Sequence, residues 1–185
     1  MRPVTLVSAR LVLDQPTLDD VDLVTEYCQD PIFETFMLTP WPYQRSDAEK
    51  FVGTVVPIWW EDDSEYTWAI RRDGEFLGVV GYRTMRHDIG FWLGTPHRGR
   101  GCMTEAVGAV ADWVFSQTGT EILWECIPGN LASASVARKA GFTWDGEAPS
   151  IYRTREGEQT TAWTGSLAPN DSREPKTGWP AFTAG

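Results

Sequence analysis

Arg98-Gly99-Arg100-Gly101-Cys102-Met103 is a segment of this chain whose residue types could hold an anion. It lies between a strand-like run ending near Gly94 and a helix-like run opening near Thr104. At such a junction the first helical N–H groups have no partner and the helix dipole presents its positive end. Arg98 and Arg100 add the local positive charge that a pyrophosphate or a sugar phosphate needs. A nucleoside-triphosphate loop would require Gly-Lys followed by Ser or Thr, and a dinucleotide fingerprint would require a third glycine where Thr104 stands. Both fail on residues. Two readings remain: a phosphate cradle, or glycines that serve only a tight strand-to-helix turn.

The elements around this loop follow from periodicity. Ala9-Arg10-Leu11-Val12-Leu13 reads as a short strand, and Thr17-Leu18-Asp19-Asp20 as an acidic capping box opening a helix over 18–29, ahead of Pro31. A second box, Ser46-Asp47-Ala48-Glu49, predicts a helix with Phe51, Val52, Val55 and Trp59 at helical spacing, bent or shortened by Pro57. The period then changes to two. Runs over 67–70 and 76–82 flank Asp73-Gly74, a tight hairpin signal, and a third strand covers 88–93. A helix over 104–117 carries Val107, Val110, Ala111 and Val114 on one stripe, and a strand spans 121–127. Asn130 is placed to cap a short helix that ends with Arg138, Lys139 and Gly141. Strands from Phe142 and over 160–167 complete a mixed α/β sheet with helices on both faces.

With 185 residues the chain makes one ordinary domain. Sixteen Lys+Arg against twenty-six Asp+Glu give a formal charge of −10, which excludes general nucleic-acid binding and favours cationic partners such as amines. Cys28, Cys102 and Cys126 match neither a disulfide framework nor a metal pattern, so a reducing cytoplasm and no metal are expected. Arg10 and Asp14 interrupt any N-terminal signal segment. The apolar stretch 51–60 is half the length of a membrane span and contains Pro57, so no membrane role is expected. Beyond Ala168 the composition turns to Pro, Asn, Asp, Ser, Gly and Thr, and 169–185 reads as a loosely held tail that Trp179 and Phe182 could anchor.

The cradle gains company in Pro128-Gly129-Asn130-Leu131-Ala132-Ser133-Ala134-Ser135-Val136-Ala137-Arg138-Lys139-Ala140-Gly141-Phe142. Together with Ala9-Arg10-Leu11-Val12-Leu13, Ile89-Gly90-Phe91-Trp92-Leu93 and Thr104-Glu105-Ala106, in that order, it resembles the GCN5-related N-acetyltransferases (GNAT). Within them it is most similar to the branch that acetylates ribosomal-protein N-termini, and to its small-amine relatives. The resemblance implies one domain over 1–168 with a mostly antiparallel, splayed sheet that parts after Leu93 and Ile127. It implies acetyl-CoA on one side of the cleft, paired with the backbone of Phe91, Trp92 and Leu93, and its pyrophosphate over Arg98, Gly99, Arg100, Gly101, Cys102, Met103 and Thr104. Asn130 matches the asparagine that contacts the cofactor arm, and Ser133 a serine that faces the thioester sulfur, although each also reads as plain first-turn chemistry. Phe36, Trp41 and Tyr43 fall in the segment that walls the acceptor cleft.

The expected reaction is direct transfer of the acetyl group to a primary amine, on a peptide N-terminus or a small molecule, with a strand amide near Trp92 supporting the oxyanion. Asp88 and Glu125 are candidate bases, and His87 a third. Ala137 stands where many relatives place an acidic tyrosine, which leaves Ser133, a water or unassisted thiolate departure for the leaving group. Met103 departs from the usual Gly or Ala, with its thioether expected in the core. A covalent route through Cys102 is rejected for want of a paired His. The rival readings are an idle acyl-CoA-binding module and a Trp-rich scaffold. A homodimer is open.

Overall fold

The computed structural model describes residues 1–181. One eight-stranded sheet runs in the order β1-β2-β3-β4-β5-β6-β8-β7. Its strands are β1 (Leu6–Val7), β2 (Val12–Asp14), β3 (Glu65–Arg72), β4 (Glu75–Arg83), β5 (Asp88–Leu93), β6 (Ile122–Cys126), β7 (Thr143–Arg153) and β8 (Gln159–Leu167). Every neighbouring pair is antiparallel except β5 with β6, which is parallel and meets at a single register pair, Asp88 opposite Leu123. The expected mixed, mostly antiparallel, splayed sheet is therefore present, with its split between β5 and β6.

Alternation along β3 and β4 sends side chains to two cores. Trp68, Ile70, Val80 and Tyr82 join Val107, Val110 and Val114 of α5 (Cys102–Thr118) on one face. Ala69 and Val79 join Val24 and Tyr27 of α1 (Val21–Cys28) and Ala48 of α3 (Arg45–Lys50) on the other. Between α1 and α3 stands the short α2 (Ile32–Phe36). Asp73 and Gly74 both adopt positive φ, 53° and 83°, which is the backbone a two-residue hairpin with right-handed twist demands.

Two local expectations shift. The second capping box is made by Gln44 and Asp47, not by Ser46 and Glu49, because the Asp47 carboxylate accepts the Gln44 N–H at 2.9 Å. The helix does not run on smoothly to Pro57: a π turn over Phe51–Val55 takes up the missing N–H, and α4 (Val56–Glu61) restarts with the proline in its first turn. Of the two tail aromatics, Trp179 lies against Trp124 and Trp144 and donates its indole N–H to Phe142 O at 3.1 Å. Phe182 lies outside the described residues.

Candidate functional site

The split in the sheet exposes backbone. Gly94 N–H donates to Leu77 O at 2.9 Å, which fixes the phase of the β4–β5 ladder. Trp92 then exchanges its hydrogen bonds with Val79, while Phe91, opposite Val80, turns its N–H and C=O toward β6. The strand donor expected near Trp92 thus belongs to Phe91, one residue earlier, because pairing alternates along the strand. Leu93 O, on the same edge, accepts from Arg98 Nε at 3.0 Å.

At the end of β5 the cradle forms. Gly99 and Gly101 have φ of 75° and 76°, in the left-handed region, and Gly101 is the N-cap of α5. Among the described residues no acceptor takes the N–H groups of Gly101, Cys102, Met103 or Thr104. A cleft of about 270 Å³ opens beside them, lined also by Arg98, Asn130 and Lys139. This donor set and the bare glycine backbone fit a pyrophosphate. The loop is pinned from behind: Asp30 accepts from Ile32 N, Thr95 Oγ1 and Arg98 Nη1 at 3.0, 2.5 and 3.0 Å. Arg98 is accordingly committed to Asp30 and Leu93 O and shapes the cradle from its rim. Arg100 is exposed and does not line the cleft; its carbonyl accepts from Arg10 at 3.3 Å. The Cys102 and Met103 side chains are buried in the first core, so the thioether is turned inward as expected, and these residues offer the cleft their backbone.

A second, larger cavity of about 900 Å³ lies on the other side of the split. Phe91, Trp92, Asn130 and Ser133 line both spaces, so the two meet there. Asn130 caps α6 (Leu131–Lys139), accepting Ser133 N–H at 3.1 Å, and Ser133 Oγ accepts from Trp124 Nε1 at 3.0 Å. Cys126 borders the same point, its thiol pushed up to about 12 by burial.

The floor of the larger cavity is a charged trough. Gly81 and Gly90 face each other across β4 and β5. A methyl group on Gly81 would strike the Glu65 carboxylate, and one on Gly90 the Arg83 guanidinium. Into this space Arg83 extends between Glu65, at 3.5 Å, and Asp88, at 2.6 Å. Asp88 Oδ2 also accepts from Tyr152 Oη at 2.7 Å, and Oδ1 is buried with no hydrogen-bond partner. The Asp88 side chain is 3% exposed. Burial raises the Glu65 carboxyl above its ordinary value despite the neighbouring guanidinium. Two carboxylates around one guanidinium leave the trough one positive charge short when both are ionised.

Glu125 stands on the far wall, but both oxygens are occupied: Ser150 Oγ donates at 2.6 Å and Ile151 N at 3.2 Å. These bonds hold the irregularity in β7 between Pro149 and Arg153, which in turn delivers Tyr152 to Asp88. His87 is bonded to Tyr82 Oη at 2.9 Å and does not line the cavity. On the near wall, Phe36 borders both spaces. Tyr43 is 4% exposed, so it touches the cavity from within the second core, and Trp41 packs against that core without reaching the cavity. The sequence reading missed Arg83, Tyr152 and Arg155, whereas Glu65 is one of a run of acids, with Glu61, Asp62 and Asp63, that suits a cationic substrate. Arg155, between β7 and β8, donates to the carbonyls of Phe33, Glu34, Met37 and Thr39 at 2.7–3.1 Å and clasps the α2 segment across the mouth.

Comparison with known proteins bears on this arrangement. The acetyltransferase (GNAT) domain family matches residues 10–143. N-acetyltransferase p20 of Bacillus licheniformis is 26% identical over 150 residues, covering 77% of this chain and 84% of its own. Two solved structures share the fold. The Salmonella typhimurium acetyl transferase that modifies the N-terminal serine of 50S ribosomal subunit protein L7/L12 superposes with a TM-score of 0.73 at 18% identity, covering 89% of this chain and 99% of that one. The microcin C7 self-immunity acetyltransferase MccE, solved with acetyl-CoA and AMP, gives 0.73 at 19% identity, with coverages of 87% and 93%. No described helix is long and apolar enough to cross a membrane, and no described cluster of side chains could hold a metal. On the family match, and with an anion cradle at a split sheet, the chain belongs to the acetyltransferase (GNAT) family and is an acetyl-CoA-dependent N-acetyltransferase.

Proposed function

We propose that the chain passes the acetyl group directly to the primary amine of an acceptor held in the larger cavity, both substrates being bound at once. The observation that carries this reading is the meeting of two cavities at Phe91, Trp92, Asn130 and Ser133. Acetyl-CoA, when bound, supplies an activated acyl carbon and a thiolate that departs readily. The unpaired N–H groups of Gly101 to Thr104 hold its pyrophosphate, and Arg98 and Lys139 flank them. Phe91 and Leu93 offer backbone to its arm, and the Phe91 N–H supports the oxyanion, a contribution of about 3 kcal/mol for a donor in a dry cleft. Asn130 orders the turn beside the arm, and the Ser133 hydroxyl faces the sulfur.

Asp88 receives the acceptor ammonium on its unpartnered Oδ1 and takes the proton that must leave before attack. Glu125 positions the β7 irregularity rather than acting as a base, and Phe36 walls the acceptor. The acceptor is a peptide N-terminus or a small-molecule amine. The similarity of the fold to an enzyme of protein N-termini and to a self-immunity enzyme supports both classes. Three free cysteines suit a reducing cytoplasm, where we place the enzyme.

Calorimetric titration with acetyl-CoA, followed by thiol release against peptides and small amines, tests the reading. Binding with amine-dependent release is expected. Binding without release from any amine would return the idle module, and no binding would overturn the cradle.

A further inference from the structure

The Ser133 hydroxyl sits where the two cavities meet, and one of its acceptor positions is filled by the Trp124 indole at 3.0 Å. An indole nitrogen only donates, so the serine proton must be given elsewhere. Within the protein its partner is the adjacent Cys126 sulfur, where this hydrogen bond works against the larger effect of burial on the thiol. That sulfur is a weak acceptor, and the thiol leans toward Asn130 O at 3.9 Å. Trp124 is firmly held: it is 2% exposed, and Trp179 packs on it with ring centroids 5.7 Å apart. Trp179 is fixed in turn by Trp144, at 5.3 Å, and by its bond to Phe142 O. A line of contacts therefore runs from the segment after β8, through two indoles, to the hydroxyl.

We propose that Trp124, braced by Trp179, is a positioning residue whose N–H turns the Ser133 proton into the junction of the two cavities, toward the sulfur of the bound thioester. The proposal rests on the placement of that sulfur beside Ser133. It adds no covalent step: the hydroxyl keeps its proton and lends a hydrogen bond as charge develops on the sulfur. The indole N–H holds the oxygen at the junction, so that a bound thiolate sulfur competes for the proton only with the weakly accepting Cys126 thiol.

The test reads binding before turnover. Calorimetry compares coenzyme A with desulfo-coenzyme A, which lacks the thiol, in the parent, Ser133→Ala, Trp124→Phe, and a protein carrying benzothiophene in place of the Trp124 indole. The last keeps the ring shape and loses only the N–H, so it remains informative should Trp124→Phe fail to fold. The parent is expected to prefer coenzyme A by about tenfold, and each variant to lose that preference while binding desulfo-coenzyme A as the parent does. In thiol release, kcat falls about tenfold in each variant, and removing the indole N–H from Ser133→Ala costs nothing more. A parent without the preference, or Ser133→Ala retaining it, overturns the placement of the sulfur. Loss in Ser133→Ala with retention in both Trp124 variants overturns the positioning role alone. Trp179→Ala should lower the preference in part; an undiminished preference removes Trp179 from the line.

Discussion

Asp88 concentrates the chemistry of the acceptor side. Its Oδ2 is shared by Arg83 and Tyr152, and its Oδ1 is buried without a partner. A buried carboxylate oxygen left unsatisfied costs stability, so a gain at another stage accounts for its retention, and an incoming ammonium supplies one. Asp88→Asn keeps the size and the Tyr152 contact but removes the charge. It is expected to lower kcat by at least about a hundredfold while acetyl-CoA affinity stays within twofold, as read by thiol release and calorimetry. Parental turnover in that variant would move the proton acceptor elsewhere. Cys126, by contrast, is close to the reacting point yet inert. With burial holding its thiol up to about 12, almost none is thiolate at neutral pH. Iodoacetamide at pH 7 should leave Cys126 unmodified by mass spectrometry, and modification at the rate of a free thiol would contradict the burial argument.

Elements matter through how they are tied together. The Arg155 guanidinium gathers four carbonyls at and after the C-terminus of α2, where a helix leaves its last acceptors free. Arg155→Ala should loosen the wall that carries Phe36, raising KM for the amine severalfold with the acetyl-CoA dissociation constant unchanged; equal KM values would show that the wall stands unaided. The cradle has its own tie in Asp30. Its carboxyl is held below the usual 3.8 by the Ile32 N–H, the Thr95 hydroxyl and Arg98. Because the folded value lies below the unfolded one, this tie contributes fully above the unfolded value and is lost as pH falls through the folded value. Acetyl-CoA affinity should therefore hold from neutral pH into mild acid, and Asp30→Asn should weaken it about tenfold at pH 7, with the parental affinity in that variant as the contrary result.

The same ties explain what could be read in advance. Asp73-Gly74, Gly101 and Asn130 act on their immediate neighbours, so the hairpin, the cradle and the last helix were legible from a few consecutive residues. Arg83 finds Glu65 and Tyr152, and Arg155 finds Phe33, only through strand register and an irregular β7, and no local spacing encodes those meetings. Glu125 was correctly placed beside the cleft, but its partners in β7 are twenty-five residues away or more and could not be foreseen. Trp41 and Tyr43 read as wall from the resemblance of their segment; Tyr43 reaches the cavity only from within the second core, and Trp41 packs against that core and does not reach it. For the charged trough the carboxylates could be named in advance, Asp88 as a candidate base, and a pair of strand glycines, Gly81 and Gly90, leaves the room that the Arg83 guanidinium and the Glu65 carboxylate fill.

At the scale of the molecule, a formal charge of −10 surrounds a cradle of free backbone N–H groups flanked by Arg98 and Lys139, so a cationic acceptor and an anionic donor are drawn to different parts of one surface. Mechanically, the sheet is two plates, one of five strands and one of three, stapled at a single rung between Asp88 and Leu123. Below that rung the seam is open, and the Phe91 amide faces it without a strand partner. Whatever lies in the seam and bonds to both lips works as a zipper, stiffening the protein across its weakest line. A ligand bound only by the folded state adds about 2.7 kcal/mol at a hundredfold excess over its dissociation constant, and here that gain should be felt unevenly. Hydrogen exchange at Phe91 is expected to slow on acetyl-CoA addition by a larger factor than at Val79, inside the five-stranded plate; uniform slowing would mean that the plates already move as one.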